Sequence, residues 1–499
     1  MKLVIRADAT PEMGTGHVMR CIALAQAAVR RGMQVAFATR CEIPFLRERL
    51  SAIPCTVTYL APQADRDEEM AVIRAMMTPA PCAIVLDGYH FTLDYQQAIR
   101  PYAKTVVLDD HAFRREFCCD ILVNPSTMPE LVRYPEAHDT RLLVGHRYVM
   151  LREEFLQAPP ARPDEHKGPV RLLVSMGGAD PHNATCAILQ TLAELSPDNV
   201  TLTVLTGPAN PHTESIRQTL QTVRCAHTQL LTAVSDMPAL LRQTDLAISA
   251  AGSTCFELAR MGIPFFLLQT ADNQALLAES LTRQGIAVSM GSLDAMSPQW
   301  STTLSDFLAD SALRHHTAAR ARSLVDGLGA FRLLEALAPT ELRLRPATPD
   351  DCDAVFSIAN DPQVRAASFN SAPIPHANHV AWYKEALQSG DIHFYMADNA
   401  YGVPAGYARF HTGEGRTATI SVAVALPFRG CGLGGSLIGQ ACRMFLKEHP
   451  GHTVRALIKS DNIASVKSFL SAGFYLTKTG QYMNVPTEFY TLGAAGNDQ

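Results

Sequence analysis

A histidine set directly behind a glycine turn, as in Gly14-Thr15-Gly16-His17, can take a proton at the mouth of a binding cleft. The glycines let backbone N–H groups approach a ligand, and the positive end of a following helix favours neutral imidazole, the form that accepts a proton. A histidine that merely caps the helix has the same local sequence. Later, "VRLLVSMGGADPHNAT" places Gly177 and Gly178 in a turn before Asp180 at an N-cap and Pro181 at N1. That turn can cradle a diphosphate or be an ordinary loop. "LAISAAGSTCFELARMG" puts Ser253 and Thr254 ahead of a helix and Glu257 in its first turn. Hydroxyls and N–H groups suit a phosphate and the carboxylate suits a ribose diol, although a first-turn acid also satisfies the helix dipole.

The elements that must position these groups are short apolar runs alternating with helical patterns: "KLVIRAD", "QVAFAT", "CAIVLDGY", "TVVLDD" and "CDILVN", then "VRLLVSMGG", "VTLTVLTG", "LAISAAG" and "IPFFLLQ". Such strands, separated by helices, imply parallel sheets covered on both faces. The first helix is expected from about His17 to Arg31, with Val18, Cys21, Ile22, Ala25 and Val29 as its core stripe and Gly32 as its C′ stop. Residues 158–169 carry Pro, Gly and charge without apolar periodicity and read as a linker. The expected domains are therefore 1–158, 168–338 and, after "LLEALAPTE", a third unit over 342–490.

Bulk composition excludes several classes. A chain of 499 residues exceeds one hydrophobic core. A net charge of −5, with no long Lys/Arg run, argues against nucleic acid. The 12 cysteines lack C-x-x-C or zinc spacing, and no signal-peptide pattern follows Met1, so reduced thiols in a cytoplasmic protein are expected. No apolar run approaches the roughly 20 residues of a membrane span.

The two-domain layout, the "GTGH" turn and the late stretch through Asn273 and Gln274 resemble nucleotide-sugar enzymes of the GT-B type. Within that class, "RADAT…GTGHVMRCIALA", "LDGYHF", "LDDHAF…CDILVNP", "GHRYVMLREEF" and "SMGGADPHN" resemble the UDP-2,4-diacetamido-2,4,6-trideoxy-β-L-altropyranose hydrolases of pseudaminic acid biosynthesis. The resemblance covers about residues 1–335. It implies inverting attack of water at the anomeric carbon and release of UDP without a metal. His17 would be the base, and the Gly177-Gly178 turn with Ser253 and Thr254 would stabilise the departing diphosphate. Gly14, Gly16, Arg20 and Gln274 belong to the matching motifs as substrate-binding candidates, and the resemblance adds Tyr89, Asp109 and Asn273 near the sugar.

In the third unit, "ATISVAVALPFRGCGLGGSLIGQ" contains Gly430-x-Gly432-x-x-Gly435, formally a dinucleotide fingerprint. The same letters give Arg429-x-x-Gly432-x-Gly434, which resembles the turn of GCN5-related N-acetyltransferases (GNAT) that wraps the pyrophosphate of acetyl-CoA. "LRLRPATPDDCDAVFSIAND" resembles that family's opening strand and helix. The Asn462-x-x-Ser465 segment of "ALIKSDNIASVKSFLSAGF" matches a further motif. The resemblance implies acetyl-CoA as co-substrate. Many members carry a Tyr seven residues after the Asn as general acid, where this chain has Phe469, leaving Tyr475 and Tyr482 as substitutes; "TATISVAV" also lacks the carboxylate often used as base.

The two halves resemble enzymes of consecutive steps, acetylation of the 4-amino group of a UDP-amino sugar and then removal of UDP, so a bifunctional enzyme is expected. The alternatives are a UDP-sugar glycosyltransferase, in which His17 deprotonates an acceptor hydroxyl, and a C-terminal domain that senses acetyl-CoA without consuming it.

Overall fold

Seven strands build the first sheet: β1 (Lys2–Ala7), β2 (Gln34–Thr39), β3 (Thr56–Tyr59), β4 (Cys82–Asp87), β5 (Lys104–Leu108), β6 (Ile121–Asn124) and β7 (Arg141–Val144). Their spatial order is β3-β2-β1-β4-β5-β6-β7, and every neighbouring pair is parallel. The order reverses between β1 and β4, the switch point at whose carboxyl ends open α/β sheets bind ligands. In this computed structural model the described residues are 1–492 except 11–13, 80, 111–115, 127, 129–131, 133, 135–138, 160, 162–167, 179, 208, 209 and 233. Part of the expected 158–169 linker and of the "LDDHAF" motif therefore lies outside the described residues.

A second sheet repeats the plan with β8 (Val170–Ser175), β9 (Val200–Leu205), β10 (His227–Leu231), β11 (Leu246–Ala250), β12 (Phe265–Gln269), β13 (Ala287–Ser292) and β14 (Ala295–Met296). Its order is β10-β9-β8-β11-β12-β13-β14, again parallel except for the short β14. Strands such as β4 and β11 are buried along their whole length, which is why they read as unbroken apolar runs. The chain then returns to the crossover segment: Met150 bridges Leu328, and Gly329 sits so close to the Tyr148 carbonyl carbon that a Cβ there would lie 2.2 Å from it. Only glycine fits that contact.

The third sheet is mixed. It contains β15 (Arg343–Pro346), β16 (Ile392–Asp398), β17 (Pro404–Gly413), β18 (Thr417–Val424), β19 (Thr453–Lys459), β20 (Phe474–Tyr482) and β21 (Val485–Leu492), in the order β15-β16-β17-β18-β19-β21-β20. All pairs are antiparallel except β18 and β19, which are parallel and meet only over Thr417–Thr419 against Thr453–Arg455. Beyond that point the two strands separate. Ser421 is consequently exposed in the middle of a central strand. Helix Leu433–Glu448 covers one face through Ile438, Ala441 and Phe445 against Ala408, Phe410 and Ile420, while Val355 and Tyr383 pack with Phe394 and Met396 on the other face.

The chain divides into two compact units, one of residues 1–29 and 33–333 and the other of 30–32 with the chain from 334 onward. No helix among the described residues is long and apolar enough to cross a membrane.

Candidate active site

Helix Gly16–Arg30 starts one residue earlier than the sequence pattern predicts and ends one residue earlier. Its C-terminus is closed by Gly32 at φ +77° and by Met33 N–H donating to the Ala28 carbonyl (3.0 Å). More of the helix is buried than the expected stripe, because Ala23, Leu24, Ala27 and Ala28 are covered as well, while Val29 is only partly so. His17 is its second residue and is 6% exposed.

The His17 ring is held by a carboxylate that the motif reading passed over. Nδ1–H donates to Oδ1 of Asp87 at 2.7 Å. Arg20 Nη2 lies 3.2 Å from the same nitrogen, but a guanidinium can only donate, so the shorter contact to the carboxylate fixes the Nδ1 proton and leaves Nε2 with its lone pair. Asp87 ends β4, in register with Ala7 at the end of β1, and is fully buried. Burial alone would push its carboxyl up. The charge of Arg20, with the hydrogen bonds from Arg20 and His17, overcomes this and holds it well below the usual carboxylate range. Arg20 donates through Nε (2.5 Å) and Nη2 (2.6 Å) to Asp87, and through Nη1 to Asp110. Tyr89, 44% exposed, stands edge-on to His17 with ring centroids 4.9 Å apart.

These groups open onto a cleft whose empty volume is about 1360 Å³ with its solvent-filled mouth included. Gly16, His17, Arg20, Tyr89 and Asp110 line one wall; Gly252, Ser253, Glu257 and Gln274 line the other. The walls are close: a Cβ on Gly16 would lie 3.8 Å from Ser253 Oγ. Ser253 is the residue before helix Thr254–Met261, so that helix presents its N-terminal N–H groups to the cleft. Glu257 is held by Arg152 Nη2 at 3.0 Å. Burial pushes its carboxyl up, and Arg152 only partly offsets this.

Several expectations change here. Asp109 is not in the cavity lining; it accepts from the Tyr134 hydroxyl at 2.6 Å, which in turn accepts from Asn124 Nδ2 at 2.9 Å, and Asn124 does line the cavity. The next residue, Asp110, takes the lining position, because alternate residues leaving a strand point to opposite sides. Gly177, at φ +90°, and Gly178 are exposed and are not among the lining residues. Asp180 is not the N-cap and Pro181 is not N1: the helix begins at Ala184, although Asp180 still accepts from the N–H groups of Ala184 (2.8 Å) and Thr185 (2.9 Å). Gly14, at φ +74°, donates its N–H to the Thr10 carbonyl at 2.9 Å. The side chain of Asn273 lies outside the description, and Gln274 Oε1 accepts from Thr270 N–H at 2.8 Å.

In the third sheet, the turn before helix Leu433–Glu448 has Gly430 at φ +71° and Gly432 at φ +82°, with open space where a Cβ on Gly432 would be. That helix N-terminus lies at the end of β18, on the open side of the split, so it fits a pyrophosphate. Gly434 has another reason to be glycine: a Cβ would lie 2.6 Å from Ser468 Oγ of the neighbouring helix. Arg429 is engaged by the Val424 carbonyl (2.8 Å) and Asp361 (2.8 Å), which makes it a brace of the turn. Asn462 caps helix Ile463–Ser471 by accepting from Ser465 N–H at 3.1 Å. Phe469 is a core residue against Phe474.

Strand register separates the two tyrosines. Tyr475 pairs with Thr491 and through it with Arg455, at the closed end of the split, and is exposed on the edge strand. Tyr482 lies beyond Gly480, which pairs through Thr487 with Lys459 at the open end, and its ring meets Phe369 at 4.9 Å. Of the two, only Tyr482 is at the open end of the split.

Fold and cleft together define a GT-B-type enzyme architecture followed by the split mixed sheet of an N-acetyltransferase. Residues 341–475 match the acetyltransferase (GNAT) domain family, so the chain carries such a domain. The chain is similar, at 23% identity across 58% of its length and 98% of the relative's, to the UDP-2,4-diacetamido-2,4,6-trideoxy-β-L-altropyranose hydrolase of Campylobacter jejuni. It is 24% identical to the spore coat polysaccharide biosynthesis protein SpsG of Bacillus subtilis, over 68% of this chain and 98% of that protein. An uncharacterized protein of Methanocaldococcus jannaschii is 22% identical over 96% of this chain and 98% of its own. The fusion of a hydrolase-like front to a GNAT domain, expected from the motifs, is thus what the relatives support.

Proposed function

We propose that the chain is a bifunctional enzyme of nonulosonic acid biosynthesis that acetylates a UDP-linked 4-amino sugar and then hydrolyses UDP-2,4-diacetamido-2,4,6-trideoxy-β-L-altropyranose to UDP and the free sugar. The observation that carries the hydrolysis is the His17–Asp87 pair at the lip of the cleft. With its Nδ1–H donated in a hydrogen bond to the Asp87 carboxylate, His17 accepts a proton from water at Nε2. The water oxygen bonds to the anomeric carbon from the face opposite the diphosphate, the C1–O bond breaks, and its electron pair leaves on UDP. N–H groups at the start of helix Thr254–Met261, with the Ser253 hydroxyl, stabilise that developing charge. Glu257, oriented by Arg152, takes the ribose diol.

In the C-terminal domain the turn at Gly430 and Gly432 with the N-terminus of helix Leu433–Glu448 would hold acetyl-CoA, whose thioester supplies the acetyl group. The separation of β18 from β19 gives the amine a route to that carbonyl carbon. Tyr482 is the candidate donor to the departing thiolate.

UDP release from the diacetamido substrate, with no acceptor added, tests the reading. The wild type releases UDP and His17→Asn is slower by two or more orders of magnitude. Release only when a sugar or lipid hydroxyl is supplied would instead make the front half a glycosyltransferase.

A further inference from the structure

Helix Leu433–Glu448 covers one face of the C-terminal sheet, and the opposite face carries cations that no carboxylate among the described residues engages. On β17, Tyr407 and Arg409 point to that opposite face: Arg409 is the cross-strand neighbour of Phe394 on one side and of exposed Ser421, at the edge of the split, on the other. Its guanidinium carbon lies 5.1 Å over the Trp382 ring. No carboxylate or hydrogen-bond acceptor among the described side chains engages it. Burial lowers its pKa, the mark of a charge withdrawn from water without a counter-ion.

Two more cations share this end of the face. Arg365 donates to the Ala359 carbonyl (3.4 Å) and the Asn370 carbonyl, and its buried Nε has no partner among the described residues. Lys459 ends β19 at the open end of the split and donates to the Ala366 carbonyl at 2.9 Å. Arg365 and Arg409 both act electrostatically on the half-buried Tyr407. Half-buried guanidiniums normally find carboxylates, as Arg345 and Arg429 do in this same domain. A planar guanidinium held on an aromatic face suits bidentate binding of phosphate oxygens.

We propose that this face is the acceptor subsite of the acetyltransferase and that it selects an amine carrying a phosphate or diphosphate group, with Arg409, Arg365 and Lys459 binding the anion and Trp382 orienting Arg409. This deepens the proposed acetylation of a nucleotide-linked amine and rests on that reading. The step itself is ordinary acyl transfer: the neutral amine nitrogen bonds to the acetyl carbon, the C–S bond breaks with its electron pair leaving on sulfur, and one nitrogen proton is lost.

The test is coenzyme A release by the full chain carrying His17→Asn, which keeps the front half from consuming the acceptor. Four amines are compared: spermidine, glucosamine, glucosamine 1-phosphate and the UDP-linked 4-amino sugar. The expected kcat/KM is about 100-fold higher for the UDP-linked amine than for glucosamine, with glucosamine 1-phosphate between them and spermidine lowest. Adding Arg409→Gln reduces that preference about tenfold, through KM, and Arg409→Lys restores part of it, which separates lost charge from lost folding. Spermidine or glucosamine as the best acceptor, or a preference untouched by Arg409→Gln, overturns the proposal. Glucosamine 1-phosphate ahead of the UDP-linked amine sustains an anionic acceptor but overturns the sugar assigned above, and no release from any amine overturns both.

Discussion

The two sites treat charge in opposite ways. At the cleft every strong charge has a partner: Asp87 accepts from His17 and Arg20, Arg20 reaches Asp110, and Glu257 is held by Arg152. On the acceptor face of the C-terminal sheet, Arg409 and Arg365 have no carboxylate among the described residues. A base that must meet water in one orientation is best fixed before substrate arrives, so its surroundings are internally satisfied. A recognition site gains selectivity by leaving its charge to be completed by the right ligand. On the proposed functions, the difference would place specificity in geometry at the cleft and in charge at the acceptor face.

That contrast can be broken most sharply at Asp87. Asp87→Asn should lower kcat for UDP release by about 100-fold or more with little change in KM, because the ring loses the carboxylate that fixes its tautomer. A variant with wild-type kcat would mean that the pair is structural. At Glu257, the effect should be smaller and of the other kind: Glu257→Gln raises KM for the UDP-sugar about tenfold while kcat stays within a few-fold. The pairing itself is tested by pH. Asp87 has a folded-state pKa below its unfolded value, so its contribution is present above the ordinary carboxylate value near 3.9 and is lost as pH falls through the folded value. The melting temperature of the wild type should therefore drop more steeply below about pH 4 than that of Asp87→Asn. The smallest effect sharpens the coenzyme side: Gly434→Ala crowds Ser468 and should cost about 1–3 kcal/mol in the unfolding of the C-terminal domain, a shift that Gly434→Ala/Ser468→Gly partly restores.

Much of this was legible in the residues. Short apolar strands between helices announced both parallel sheets, and the turns announced the ends of β1, β11 and β18 where ligands would meet helix N-termini. Asp87 was missed although it stands in the quoted "LDGYHF", as were Asp110 and Arg152. Part of the signal was there: Asp87 ends β4 and Asp109-Asp110 follow β5, its neighbour in the sheet, so a carboxylate from each strand reaches the same end. The choice between Asp109 and Asp110 depends on the direction of the chain as it leaves β5, which no spacing rule fixes. Arg409 was illegible for a related reason. Its meaning lies in partners it does not have, and a sequence does not show which cation ends up beside which carboxylate.

The central claim is that water attacks carbon, with the oxygen of the broken bond leaving on UDP. Hydrolysis in ¹⁸O-labelled water, with the released UDP examined by mass spectrometry, tests it directly. The account predicts UDP free of label, whereas ¹⁸O in the β-phosphate would show attack at phosphorus and contradict a cleft built around His17 and the anomeric carbon.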